Sequence, residues 1–302
     1  MHKIVVAQPI GLSEAQKTQL NTLGNVTYYD SRAVSPEEWL ARCDGFDVIC
    51  TGVFGVQTKY QELNNVFISL PFVNTGWVDL NVLQRNNITI ANSPGSNRYA
   101  VAEWIIGMLL TVTRELPTYL RVEELPFGKM PPASIGLEGK HITILGQGNI
   151  GTIVGNVCSA FGGRVNFLKR GGDLATSVID SDIVIDTLSV NPSTSNLLDE
   201  KFFDVLKPKT IFVTVSAGNV VNLDAMFDAL DSDKIASVIH DAQIFGSTSD
   251  PIYKRLLAHE KVYVTPHIGH NTDVSEFTSN QMMIENIESW FAGKPIHIIG
   301  AE

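Results

Sequence analysis

Lys140-His141-Ile142-Thr143-Ile144-Leu145-Gly146-Gln147-Gly148-Asn149-Ile150-Gly151 decides how the rest of the chain is organised. A short apolar run ends in G-x-G-x-x-G, and a segment with helical patterning follows. In a strand–turn–helix unit each glycine has a task. Gly146 makes the tight turn, Gly148 lets the backbone approach a ligand, and Gly151 lets helix and strand pack closely. The helix start, at Asn149 and Ile150, offers unpaired N–H groups and the positive end of its dipole to an anion such as a pyrophosphate. An ordinary glycine-rich βα turn has the same spacing, so the motif gains its weight from its surroundings.

Working outward, short apolar or β-branched runs alternate with helical ones in both directions. Before the motif they fall at 4–8, 26–29, 46–51, 66–70 and 88–91. From it onward they fall at 141–145, 164–168, 183–188, 211–215, 235–239 and 261–265. Such alternation predicts an α/β chain with two doubly wound parallel-sheet domains. Residues 101–110 are apolar nearly all round and predict a buried helix. Residues 125–132, with Pro126, Gly128, Pro131 and Pro132, break it before the second series. A long amphipathic helix is expected over 274–291, where Met282, Met283, Ile287 and Trp290 have core spacing.

Composition narrows the partners. The chain has 302 residues, 44% of them hydrophobic, and a formal net charge of -10. That charge speaks against nucleic acid and acidic membranes and leaves a small-molecule substrate. No apolar run has the length to span a bilayer, and residues 1–9 read as a first strand rather than a signal peptide. Cys43, Cys50 and Cys158 have no metal-ligand spacing and read as buried thiols, which suggests a cytoplasmic location.

Several further motifs follow in a specific order. They are Phe72-Val73-Asn74-Thr75-Gly76-Trp77-Val78-Asp79-Leu80, then Asn92-Ser93-Pro94-Gly95 through Glu103, then the glycine motif. Next come Asn191-Pro192-Ser193-Thr194, Thr265-Pro266-His267-Ile268-Gly269, and Asn286-Ile287 with Ala292-Gly293-Lys294-Pro295. In this order and spacing the chain resembles the D-isomer-specific 2-hydroxyacid dehydrogenases over most of its length. The resemblance implies a Rossmann cofactor domain (98–271) inserted in a flavodoxin-like substrate domain (1–97 and 272–302). It also implies a homodimer built through the cofactor domain. Cofactor contacts are implied for Gly146, Gly148, Asn149, Ile150, Gly151, Ser189, Thr194, Val215, Ser216, Ala217, Asp241, His267 and Gly269. Asp241 matches the aspartate that touches the nicotinamide amide.

Reducing a 2-keto acid needs a hydride donor, an acid for the developing alkoxide, and a cation for the substrate carboxylate. The family uses a histidine as acid, a glutamate to orient it, and an arginine as clamp. His267 matches the histidine. A metal pairing of His267 with His270 lacks further ligands, so no metal is expected. Two departures stand out. The family's Asn-x-x-Arg-Gly segment falls on Thr214-Val215-Ser216-Ala217-Gly218, which puts Ala217 where the arginine belongs. Counting on from Asp241 puts Gly246 where the glutamate belongs. The substrate loop is expected at Asn74, Thr75 and Gly76, whose backbone N–H groups could face an anion. Trp77 and Trp104 suit either a site lining or the core.

At the end of the second strand of such a domain, an acid normally bonds the ribose hydroxyls of NAD. Here Lys169-Arg170-Gly171-Gly172 stands instead, which favours the 2′-phosphate of NADP, with NAD possible. The chain is therefore expected to be an NAD(P)-dependent oxidoreductase acting on a 2-keto or 2-hydroxy acid or a related carbonyl compound. The missing arginine and glutamate leave two alternatives open: a nucleotide-binding pseudoenzyme or sensor, and a reductase of a different, less charged substrate.

Overall fold

The computed structural model describes residues 1–120, 133–216, 219–242 and 250–301. The chain divides into two compact units, Met1–Asn97 with Asn271–Glu302, and Arg98–His270.

The sheet of the first unit contains β1 (Lys3–Val6), β2 (Asn25–Tyr28), β3 (Val48–Cys50), β4 (Val66–Ser69) and β5 (Ile88–Ala91). All pairs are parallel, and the order is β2-β1-β3-β4-β5, as in flavodoxin. Parallel strands covered on both faces are apolar along their whole length, and alternate residues enter opposite cores. Val5, Ile49, Ile68 and Ile90 pack with Trp39. Ile4, Val6, Val48 and Phe67 pack with Met283, Ile284 and Ile287 of the helix Asp273–Phe291. Helix starts are encoded locally. Ser13 caps the helix Glu14–Leu23 in a reciprocal box with Gln16, and Thr272 caps Asp273–Phe291.

The second unit holds β6 (His141–Leu145), β7 (Arg164–Leu168), β8 (Ile183–Asp186), β9 (Thr210–Thr214), β10 (Ile235–Asp241) and β11 (Val262–Thr265). They too pair in parallel, in the order β11-β10-β9-β8-β6-β7. All their carboxyl ends therefore share one edge. Strand order reverses between β6 and β8, the switch point where ligands bind in open α/β sheets. On one face Ile144, Ile185, Val213 and Ile239 pack against Ile105 and Leu109 of the helix Arg98–Thr113 and Val154 of the helix Asn149–Ala160. On the other, Leu145, Val184, Phe212 and Val238 meet Phe202, Phe203, Met226 and Leu230.

Every expected strand exists, with ends shifted by no more than two residues. The expected all-round burial of 101–110 needs correction. The helix runs Arg98–Thr113, and Glu103 and Gly107 are exposed because it covers a single sheet face. Cys43, Cys50 and Cys158 are free and buried, and burial pushes the Cys43 and Cys158 thiols up to about 12 and about 11. Among the described residues no helix is long and apolar enough to cross a membrane.

Candidate active site

The glycine motif closes β6 as its spacing requires. Gly146 adopts φ +97°, a conformation open mainly to glycine. A Cβ on Gly151 would lie 2.2 Å from the Gly146 carbonyl oxygen and 2.9 Å from Thr187 Oγ1. On Gly148 it would meet nothing within 4 Å. Gly148 is also the N-cap of the helix Asn149–Ala160, and no side chain caps it. Open space thus adjoins an uncapped helix start, with Asn149 exposed and Ile150 half-buried. The pyrophosphate of a dinucleotide fits such a cradle.

Neighbouring loops along the same edge are tied to this turn. Thr187 Oγ1 donates to the carbonyls of Leu145 and Gly146, at 3.0 and 3.2 Å. Ser216 Oγ donates to the Leu188 carbonyl at 2.9 Å. The Asp186 carboxyl, fully buried at the end of β8, accepts from Leu188 N at 3.0 Å and from Thr214 Oγ1 at 2.8 Å. Burial pushes its pKa up to about 6 against the pull of these donors. Ser189 is exposed and Val215 half-buried. Thr194 is buried, and its hydroxyl serves the loop's own backbone at Ser189 and Asn191. Ala217 and Gly246 lie outside the described residues.

The turn after β11 carries His267 in a left-handed conformation, φ +54°. Asp241, 4% exposed at the end of β10, holds that turn. Its Oδ1 accepts from Ile268 N at 2.9 Å and from the Thr265 hydroxyl, and its Oδ2 accepts from Gly269 N at 2.7 Å. The half-buried His267 ring sits 5.1 Å from His270, centroid to centroid. His267 Nδ1 is buried without a hydrogen-bond partner among the described residues, and so is Trp104 Nε1. Trp104 packs beside Gly269, whose added Cβ would come within 3.3 Å of its ring. His240, one residue before Asp241, is 7% exposed. Burial drives its pKa down to about 4; Asp241 opposes this and His267 adds to it.

Lys169 and Arg170 are exposed immediately after β7, in a turn closed by Gly172 N donating to the Lys169 carbonyl at 2.9 Å. Neither forms an ion pair among the described residues. In the first unit Asn74 and Gly76 are exposed and Thr75 is half-buried. The Gly76 N–H, one of the three donors expected there, is engaged by Asn74 Oδ1 at 3.2 Å. Trp77 packs edge-on against Tyr60, which makes it part of the core boundary of that unit.

The family model for the NAD-binding domain of D-isomer specific 2-hydroxyacid dehydrogenases matches residues 106–269, just over half of the chain. The chain belongs to the D-isomer specific 2-hydroxyacid dehydrogenase family. Among curated members of this family, the D-3-phosphoglycerate dehydrogenase of Escherichia coli is 32% identical over 240 residues, covering 74% of this chain and 56% of that protein. The chain thus spans little more than half the length of that relative. Two solved structures share the fold. An acyclic imino acid reductase in complex with NADPH and D-Arg has a TM-score of 0.86 at 22% identity, covering 98% of this chain and 99% of that one. A glyoxylate reductase from Paecilomyes thermophila has a TM-score of 0.83 at 20% identity, covering 99% and 98%.

Within this D-2-hydroxyacid dehydrogenase fold, one edge of the sheet brings together the glycine turn, Ser189, Val215, Ser216, Asp241 and His267. The sequence reading missed three buried polar residues along it: Asp186, Thr214 and His240. Asp186 did carry a signal, an acid inside the apolar run Ile183-Val184-Ile185-Asp186-Thr187-Leu188. His240 likewise interrupts Val238-Ile239-His240 in a buried strand.

Proposed function

We propose that this chain is an NAD(P)-dependent oxidoreductase in which His267 exchanges a proton with a 2-keto or 2-hydroxy acid or a related carbonyl compound. The observation that carries this reading is the shared carboxyl edge of the second sheet. The uncapped helix after Gly148 and the clamped turn of His267 both open there. The nicotinamide, when bound, supplies the hydride chemistry. Gly146, Gly148, Asn149, Ile150 and Gly151 would hold the pyrophosphate, and Ser189, Thr194, Val215, Ser216, Ala217 and Gly269 would shape the rest of the cofactor's path. Asp241 keeps one lone-pair direction on Oδ2 for the nicotinamide amide while it holds the His267 turn. His267 would donate its proton to the developing alkoxide in reduction and take it back in oxidation. Lys169 and Arg170, exposed and without an ion pair among the described residues, favour NADP over NAD, because a 2′-phosphate gains from both cations. Residues 98–271 would form the cofactor domain and pair with a second copy. Residues 1–97 and 272–302 would form the substrate domain, with the N–H groups of Asn74 and Thr75, which donate to no acceptor among the described residues, offered to the substrate.

A second reading is reduction of a C=N bond. Two observations favour it: Ala217 where the carboxylate clamp belongs, and a buried His267 Nδ1 that finds no hydrogen-bond partner among the described residues. A protonated imine already carries the charge that a ketone needs an acid to create, so it depends less on an oriented imidazole. The acyclic imino acid reductase of the same fold gives this reading a precedent.

The deciding experiment titrates the purified protein with NADPH and NADH. Turnover is then measured on panels of 2-keto acids, neutral carbonyls, and 2-keto acids with added amine. Oxidation of NADPH on any panel, reduced about a hundredfold or more in His267→Ala, supports the enzyme. Amine-dependent turnover alone selects the imine reading. Tight binding with no turnover on any panel selects a nucleotide-binding protein without family activity.

A further inference from the structure

At the carboxyl edge of the second sheet, β8 and β9 end in a closed ring of hydrogen bonds. Asp186 accepts from Leu188 N and from Thr214 Oγ1. Thr214 Oγ1 in turn accepts from Ser216 N at 3.3 Å, and Ser216 Oγ returns to the Leu188 carbonyl. The backbone adds a further tie, Val215 N to the Asp186 carbonyl at 3.3 Å. Asp186 and Thr214 are 0% exposed and Ser216 is 7% exposed, so water does not compete for these bonds. The two side chains face each other across the β8–β9 register, Asp186 opposite Thr214.

The surroundings make the carboxyl conspicuous. Asp186 follows Val184 on the face where Leu145, Val184, Phe212 and Val238 form an apolar core. An apolar residue would bury there at no desolvation cost, whereas a carboxyl must be compensated by donors. One donor, Leu188 N, belongs to the segment 187–190 that leads away from the sheet beside the glycine turn; the other, Thr214 Oγ1, ends β9 and in turn accepts from Ser216 N of the segment 215–216. Thr187 extends the same bracing to Gly146.

We propose that Asp186 is a positioning residue that locks the segments 187–190 and 215–216, through Thr214 and Ser216, into the shape that receives a nicotinamide dinucleotide. The proposal rests on the cofactor-binding reading above. Asp186 itself does not touch the ligand; it acts through Leu188 and Ser216.

The test compares Asp186→Leu, Thr214→Val and the conservative Asp186→Asn with the wild type in the full chain. NADPH affinity is read by fluorescence titration, and amide hydrogen exchange at 187–190 and 215–216 is read without nucleotide. Asp186→Leu and Thr214→Val should each weaken NADPH about tenfold or more and speed exchange at Leu188 and Ser216 by more than at the strands of the same sheet, so that the local effect exceeds any general fall in melting temperature. Asp186→Asn should stay within about threefold of wild type, because its carbonyl still accepts from Leu188 and the Thr214 hydroxyl can turn to accept from its amide. Wild-type binding that survives unchanged in both Asp186→Leu and Thr214→Val overturns the brace and leaves the functional reading intact. A wild type that binds neither NADPH nor NADH overturns the functional reading, and the brace as a cofactor device with it. Unaltered exchange in Thr214→Val overturns the lock whatever the nucleotide does.

Discussion

Gly269 donates its backbone N–H to Asp241 Oδ2 at 2.7 Å, and a side chain on Gly269 would close to 2.8 Å of that same oxygen. The turn that presents His267 is thus held by a carboxylate that fits only against a bare backbone. His267 adopts a left-handed φ that a non-glycine residue reaches at some cost, and the bonds to Asp241 offset it. Asp241→Ala leaves the Ile268 and Gly269 N–H groups without their acceptor. It should lower stability by about 3 kcal/mol in urea unfolding and reduce turnover beyond what the lost stability explains. Gly269→Ala should reproduce the turnover loss with Asp241 intact. Full activity in Gly269→Ala would show that the close fit is not needed.

Stability between pH 4 and 6.5 should reveal two opposed titrations. Asp186 has its pKa raised from 3.8 to about 6 in the fold, so its contribution is complete below about pH 4 and is lost as pH rises through about 6. His240 has its pKa lowered from 6.5 to about 4, so its contribution is complete above about pH 6.5 and is lost as pH falls through about 4. Each amounts to roughly 1.4 kcal/mol per pH unit, and the two nearly cancel in the wild type. Chemical denaturation across this range should give Asp186→Asn a stability that climbs with pH and His240→Leu one that falls. Parallel curves for all three proteins would refute the assignment.

Lys169→Ala combined with Arg170→Ala should weaken NADPH by about tenfold or more and NADH by far less, since only the former carries a 2′-phosphate for two cations to contact. The preference should also fade with salt, because both side chains are exposed. Equal weakening of both cofactors would rule out a 2′-phosphate contact.

Gly151→Ala tests the cradle without altering charge. Its Cβ would meet a backbone carbonyl at 2.2 Å, and backbone cannot swing aside as a side chain can. The variant should lose about 2 kcal/mol of stability or more and bind nucleotide poorly. Gly148→Ala, facing open space, should keep the stability and lose only the binding. Thermal melts and nucleotide titrations on the pair separate packing from ligand approach.

The sheets were legible because each strand is a compact apolar run, and β5, β6 and β7 coincide with the expected limits. Expected strand 46–51 narrows to Val48–Cys50. Phe46 turns back to Cys43, and the Thr51 hydroxyl is taken up by Trp39 Nε1 at 2.9 Å and Gln8 Nε2 at 3.2 Å. Neither pairing shows in local composition. The glycine turn was legible for the same reason the strands were: its constraints lie within a few residues. Asp241 was read through the family as a cofactor contact alone; its further role, the bonds to Thr265, Ile268 and Gly269, was not read. Such long-range donors leave no periodic trace. The ring through Asp186 escaped notice because an isolated acid in an apolar run gives no hint of which hydroxyls will reach it.

The helix Asp273–Phe291 has a consequence for how the molecule is made. Its Met283, Ile284 and Ile287 cover Ile4, Leu20 and Phe67, and Asn280 Nδ2 reaches back to the Ile10 carbonyl at 2.7 Å. A ribosome releases this helix only after the whole stretch 98–270 has emerged. The N-terminal segment must therefore wait, its greasy flank bare, while the later-made inserted unit is free to fold ahead of it. Nascent chains stalled before residue 273 should be the ones that chaperones hold.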